Sequence, residues 1–90
     1  MAQAVVDPDE LRRFAALLKR FHADLQTNLA ALNGQLSTLS DSWRDQEHDR
    51  FVQEFEATTL VLNRFLDAAQ EHVPFLMRKA ERIEEYLQQR

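Results

Sequence analysis

Leucine recurs at every seventh residue, from Leu11 through Leu18, Leu25 and Leu32 to Leu39. Seven residues are close to two turns of α-helix, so these side chains share one helix face. A strand cannot make the pattern, because an odd interval would throw alternate members onto opposite faces of a sheet. A second row runs beside the first: Phe14, Phe21, Leu29, Leu36 and Trp43. It steps forward by one position after Phe21. Such drift is expected of a nearly straight helix, since 3.6 does not divide seven. Upstream, Asp7-Pro8-Asp9-Glu10 supplies a cap, a proline suited to the first helical position, and acids for the positive end of the helix dipole. The spacing predicts one helix from about residue 8 to about residue 41. Gly34 lies within it, but the stripe keeps its phase from Leu32 to Leu36. A glycine there costs roughly 1 kcal/mol relative to alanine.

Cap-forming residues then cluster in Ser40-Asp41-Ser42-Trp43-Arg44-Asp45. Asp45-Gln46-Glu47 reads as a second helix start. Beyond it the heptad is strict: Val52, Thr59, Leu66, Val73, Ala80 and Leu87 in one row, Phe55, Leu62, Ala69, Leu76 and Ile83 in another. A partial third row holds Phe51, Phe65 and Tyr86. The predicted second helix runs from about 45 to about 88, with a kink near Pro74, whose ring removes a backbone hydrogen bond without resetting the phase. Two helices joined by a turn at about 42–45 must lie antiparallel. The fold class is all-α, a single helical-hairpin domain over 1–90.

Composition narrows the function. No cysteine is present, so disulfides and thiolate metal sites are excluded. Eleven basic against fifteen acidic residues leave a net charge of −4, which disfavours nucleic-acid binding. No stretch approaches the ~20 consecutive apolar residues of a membrane span, so membrane insertion is not expected. The N-terminus carries no basic segment followed by an apolar one, so no conventional signal peptide is expected. Enzyme chemistry is sparse. Asp45 and His48 give one weak match to the Glu-x-x-His element of di-iron bundles, at the bend rather than mid-helix. Ser40 and Ser42 stand near Asp41 and His48, but capping accounts for them. The reading is non-enzymatic, with no cofactor and no metal.

One seam does not use all the apolar residues. Leu17, Leu60, Val61 and Phe75 fall outside the main rows. Together with Leu66 they are assigned to a dimer or partner interface, and dimerisation into a four-helix bundle would cover them.

A hairpin of about this length with Trp at its bend resembles the WXG-motif family, small helical-hairpin substrates of bacterial type VII secretion. Trp43, Arg44 and Asp45 occupy the Trp-x-Gly motif, with Asp45 in place of the glycine. The resemblance covers essentially the whole chain. It implies a protein that pairs as a homodimer, or as a heterodimer with a related hairpin, and engages a secretion machinery. Such a protein is cytoplasmic when made and secreted without a cleaved signal peptide, as an effector or an adaptor. The family's export signal is a tyrosine followed four residues later by an acid. Tyr86 is a partial match, because Arg90 stands at that spacing. The alternative is an intracellular hairpin scaffold or regulatory dimer that is not exported.

Overall fold

The computed structural model describes residues 6–89. It contains two α-helices, α1 (Pro8–Leu39) and α2 (Gln46–Gln88), packed antiparallel as a hairpin. The body measures 68 × 22 × 14 Å, a rod one helix thick. Its length is that of α2 alone, whose 43 residues span ~65 Å.

Helix ends are set by local chemistry. Asp7 caps α1 by accepting from the Asp9 N–H at 2.9 Å, with Pro8 in the first turn. At the other end, the Leu36 carbonyl accepts from the Ser40 N–H and the Leu39 carbonyl from the Ser42 and Trp43 N–H groups. These bonds satisfy carbonyls that the end of a helix leaves without partners. Gly34 is helical, and a Cβ added there would meet nothing within 4 Å. Helix α2 continues through Pro74. The ring removes the amide that would otherwise bond the Gln70 carbonyl.

Side-chain burial is confined to the line where the helices meet. Among the described residues, Ala15 and Leu29 from α1, with Leu66, Ala69 and Ala80 from α2, are the buried hydrophobic ones. The two α2 rows lie on this line, with Val52, Phe55, Thr59, Leu62, Val73, Leu76 and Ile83 half-buried. On α1 the second row differs from the sequence expectation. Phe14 and Phe21 are 57% and 54% exposed. The row instead runs Ala15, His22, Leu29, Leu36 and Trp43, seven residues apart throughout and without a step. Phenylalanine outranks alanine and histidine in hydrophobicity, so pattern reading preferred the larger side chains. The antiparallel fit instead turns Ala15 and His22 toward α2, Ala15 buried and His22 half-buried. The His22 Nε2 is buried on this line with no hydrogen-bond partner. A groove of about 280 Å³ adjoins it, lined by Lys19, His22, Ala69, Gln70, Val73 and Pro74.

Two substitutions test this description. Leu66→Ala is expected to lower unfolding free energy by ~2–5 kcal/mol, and Leu60→Ala by less than ~0.5 kcal/mol, in urea titrations followed by circular dichroism. Gly34→Ala is expected to raise stability by roughly 0.5–1 kcal/mol, since it fits an open helical site.

Candidate interaction surface

The bend is held by short-range contacts among its own residues. The Asp45 carboxylate accepts from the His48 N–H at 3.0 Å and caps α2. The Ser40 hydroxyl lies 2.7 Å from His48 Nε2, joining the end of α1 to the first turn of α2. Trp43 is half-buried and meets the His48 ring edge-on, with centroids 5.1 Å apart. Its other neighbour is Phe51 at 5.9 Å, which in turn stacks on Phe55. Trp43 therefore closes the end of the seam, Asp45 starts α2, and Arg44 is exposed between them. An aspartate fulfils the capping role as well as a glycine does.

Ser40, His48 and Asp49 stand in the order of a nucleophile, base and acid. The Asp49 carboxylate is 3.5 Å from His48 Nδ1 and largely in solvent. A working triad needs a buried, hydrogen-bonded carboxylate and an oxyanion site. This row acts as a latch across the bend. Among the described residues no group of His, Asp and Glu is arranged to hold a metal ion. No described helix is long and apolar enough to cross a membrane.

Away from the bend the hairpin has two unlike flanks. One is polar. Arg12 reaches across from α1 and grips Glu84 of α2 through two hydrogen bonds, Nη2 to Oε1 at 2.6 Å and Nη1 to Oε2 at 3.2 Å. Lys19 and Gln70 follow on the same side. The forked geometry makes this a strong form of ion pair. Hydrogen bonding from Arg12 holds the Glu84 carboxyl below its ordinary value, against an opposing contribution from desolvation.

The other flank is apolar. On α1 it presents Phe14, Leu17, Phe21, Leu32 and Leu39, and on α2 Phe51, Val61, Phe65, Phe75 and Tyr86, all of them exposed. Helical periodicity puts each set to one side of its seam. The Phe21 and Phe65 rings touch edge to face at 5.9 Å, so the two sets lie on the same side of the hairpin. Large exposed apolar strips are, in general, where proteins associate.

The residues singled out from sequence divide accordingly. Leu17, Val61 and Phe75 lie on the apolar flank, with Val61 61% and Phe75 52% exposed. Leu60 is exposed but points to the other side of α2. Leu66 is 5% exposed and lies on the seam with α1 rather than on either flank. Tyr86 lies at the far end of the apolar strip, 62% exposed. Phe14, Phe21 and Phe65 are also exposed on this flank, although their heptad spacing reads as core. For Phe14 and Phe21 the signal that separates them from the seam is the unbroken row Ala15-His22-Leu29-Leu36-Trp43 one residue further on.

Because the Glu84 carboxyl titrates lower in the folded than in the unfolded chain, its pairing stabilises the hairpin above the ordinary glutamate value of 4.5. That contribution disappears as pH falls through the folded-state value. Glu84→Gln is expected to remove this part of the acid dependence, seen as a smaller loss of melting temperature below about pH 4.5. At the bend, Asp45→Ala is expected to cost ~1 kcal/mol and Asp45→Gly only a few tenths, measured by thermal or urea unfolding.

Comparisons with known proteins agree with this architecture. Crystal structures of the secreted protein EsxB from Bacillus anthracis superpose on the chain with TM-scores of 0.76 and 0.77. The selenomethionine-labelled form is 22% identical and covers 96% of this chain and 98% of its own. A glycine-to-alanine variant is 23% identical, covering 93% and 97%, and a glutamate-to-glutamine variant is 21% identical, covering 96% of each. At this identity the likeness establishes the fold. Comparison with curated protein sequences gives no match. The family model for WXG100, proteins of 100 residues with WXG, matches residues 3–86. The chain is a member of the WXG100 family.

Proposed function

We propose that this protein works by helix–helix association rather than by catalysis, as a type VII secretion substrate or adaptor. The observation that carries the reading is the apolar flank running from Phe14 and Leu17 on α1 to Phe75 and Tyr86 on α2 of a WXG100 hairpin. A one-helix-thick rod has no second layer with which to cover such a strip, and a second hairpin laid on it makes a four-helix bundle. EsxB, which shares the fold, is described as secreted. Tyr86 is exposed, as a recognition element has to be.

A second reading is favoured by one observation. Arg90 stands where the export signal has its acid. A hairpin dimer that stays inside the cell would need no such signal. Alternatively, a partner carries the complete signal and exports the pair.

The deciding experiment is an immunoblot of the tagged protein in native-host culture supernatant, with and without the secretion ATPase and with a lysis control. Appearance outside the cell only when the ATPase is present supports secretion. Retention in the cytosol in an actively secreting culture selects the intracellular dimer. Tyr86→Ala should leave stability within ~0.5 kcal/mol, as expected of an exposed side chain. If Tyr86 is part of the signal, the same variant reduces export severalfold.

A further inference from the structure

We propose that the polar flank holds a binding site for an aliphatic carboxylate of medium chain length. The site is the groove between α1 and α2 in the open-end half of the hairpin, on the side away from the apolar strip. It goes beyond the secretion reading and does not depend on it, because the groove is the same in an exported and in a retained hairpin.

Small side chains make the groove. Methyl groups at Ala15, Ala16 and Ala69 leave space that leucines would fill. One stretch, of about 280 Å³, lies between Lys19, His22, Gln70 and Pro74. A second, of about 240 Å³, lies between Arg12, Ala16 and Met77. Lys19 and Val73 line both, so the two are continuous. Together they reach the size usual for small-ligand clefts, ~300–1,000 Å³.

The charges on its walls are of one sign. Arg12 and Lys19 are cations, and among the described residues no carboxylate lines either stretch. Arg12 is held by Glu84. Lys19, at the junction of the two stretches, has no carboxylate within ion-pair distance among the described residues. The surrounding segment 11–22 carries Arg12, Arg13, Lys19 and Arg20 and no acid, in a chain of net charge −4. An anionic head at Lys19 and an apolar tail over Val73 and Met77 match this pattern. Met77 is 43% exposed, and its unbranched thioether side chain adapts to irregular apolar shapes. From Lys19 to Arg12 the groove runs about 10 Å, room for roughly eight to ten carbons.

A peptide fits this stretch less well. Backbone N–H and C=O groups have to be paired wherever they leave water. Between Lys19 and Arg12 the walls offer no uncharged polar side chain, only Ala15, Ala16, Val73 and Met77. A methylene chain makes no such demand.

The test is a titration of sodium decanoate, below its micelle-forming concentration, into the purified full chain, with methyl groups observed by NMR. Saturable shifts are expected at Ala16, Val73 and Met77 and not at Val61 on the apolar flank. A methylene taken wholly out of water strengthens binding about fourfold, so on a groove open along one side affinity should rise about twofold per methylene from hexanoate to decanoate. Decylamine, with the same tail and the opposite charge, should bind at least tenfold more weakly. Lys19→Glu should abolish the shifts and Lys19→Arg retain them. Lys19 is exposed, so both variants should keep the wild-type circular dichroism spectrum. No saturable shift at these methyl groups, shifts at Val61 in place of Val73, equal binding of decylamine, or undiminished binding by Lys19→Glu would each overturn the proposal. So would a synthetic Glu-Leu-Glu-Leu peptide that occupies the groove where decanoate does not, which selects a protein partner instead. Export is read separately in the culture supernatant, so failure of either reading leaves the other standing.

Discussion

The structure depends on how closely two helices can approach along one line. Each contact layer of the seam is only about two side chains wide, and it has no second layer behind it. Its buried members are three alanines and two leucines. Ala15, Ala69 and Ala80 bury little area themselves, but a methyl group lets the opposing backbone come near enough for neighbouring leucines and valines to interdigitate. The larger side chains gather toward the bend, where Phe55, Phe51 and Trp43 stack. The seam thus grades from small residues at the open end to aromatic ones at the bend. Arg12 and Glu84 clamp the open end from outside, and Ser40 and His48 latch the bend.

A seam this narrow leaves most of each helix in contact with solvent or with something else. On one flank the protein meets that condition with charge and amide groups, and on the other it does not. The apolar flank is exposed along both helices. This exposure gives the functional reading its physical basis.

Much of this was legible from residue spacing. Heptad rows on α2 gave its inward face directly, because Val52 through Ala80 and Phe55 through Ile83 keep phase without interruption. Asp7, Pro8 and Asp45 announced where helices begin. The misreadings arose where two rows competed on one helix. Phe14 and Phe21 are spaced as a core row is spaced, and so are Ala15 and His22. Hydrophobicity favours the first pair, and backbone approach favours the second. Leu66, 5% exposed, lies on the seam that its heptad row describes. The Arg12–Glu84 pair joins residues 72 apart in sequence, and no local pattern signals it.

Sequence by itself determined that this chain is two antiparallel helices with a capped bend, because periodicity, caps and turn residues are local properties of the chain. It also determined that apolar residues exceed what one seam can hold. Only the tertiary structure decided which of them are left over and that they share one side. That depends on the rotation of each helix about its own axis, and rotation is set by the mutual fit of α1 and α2. A turn of one residue, about 100°, exchanges Phe14 for Ala15 and Phe21 for His22. With Ala69 and Ala80 buried on the facing side of α2, the smaller pair turns inward and the phenylalanines turn outward onto the apolar flank.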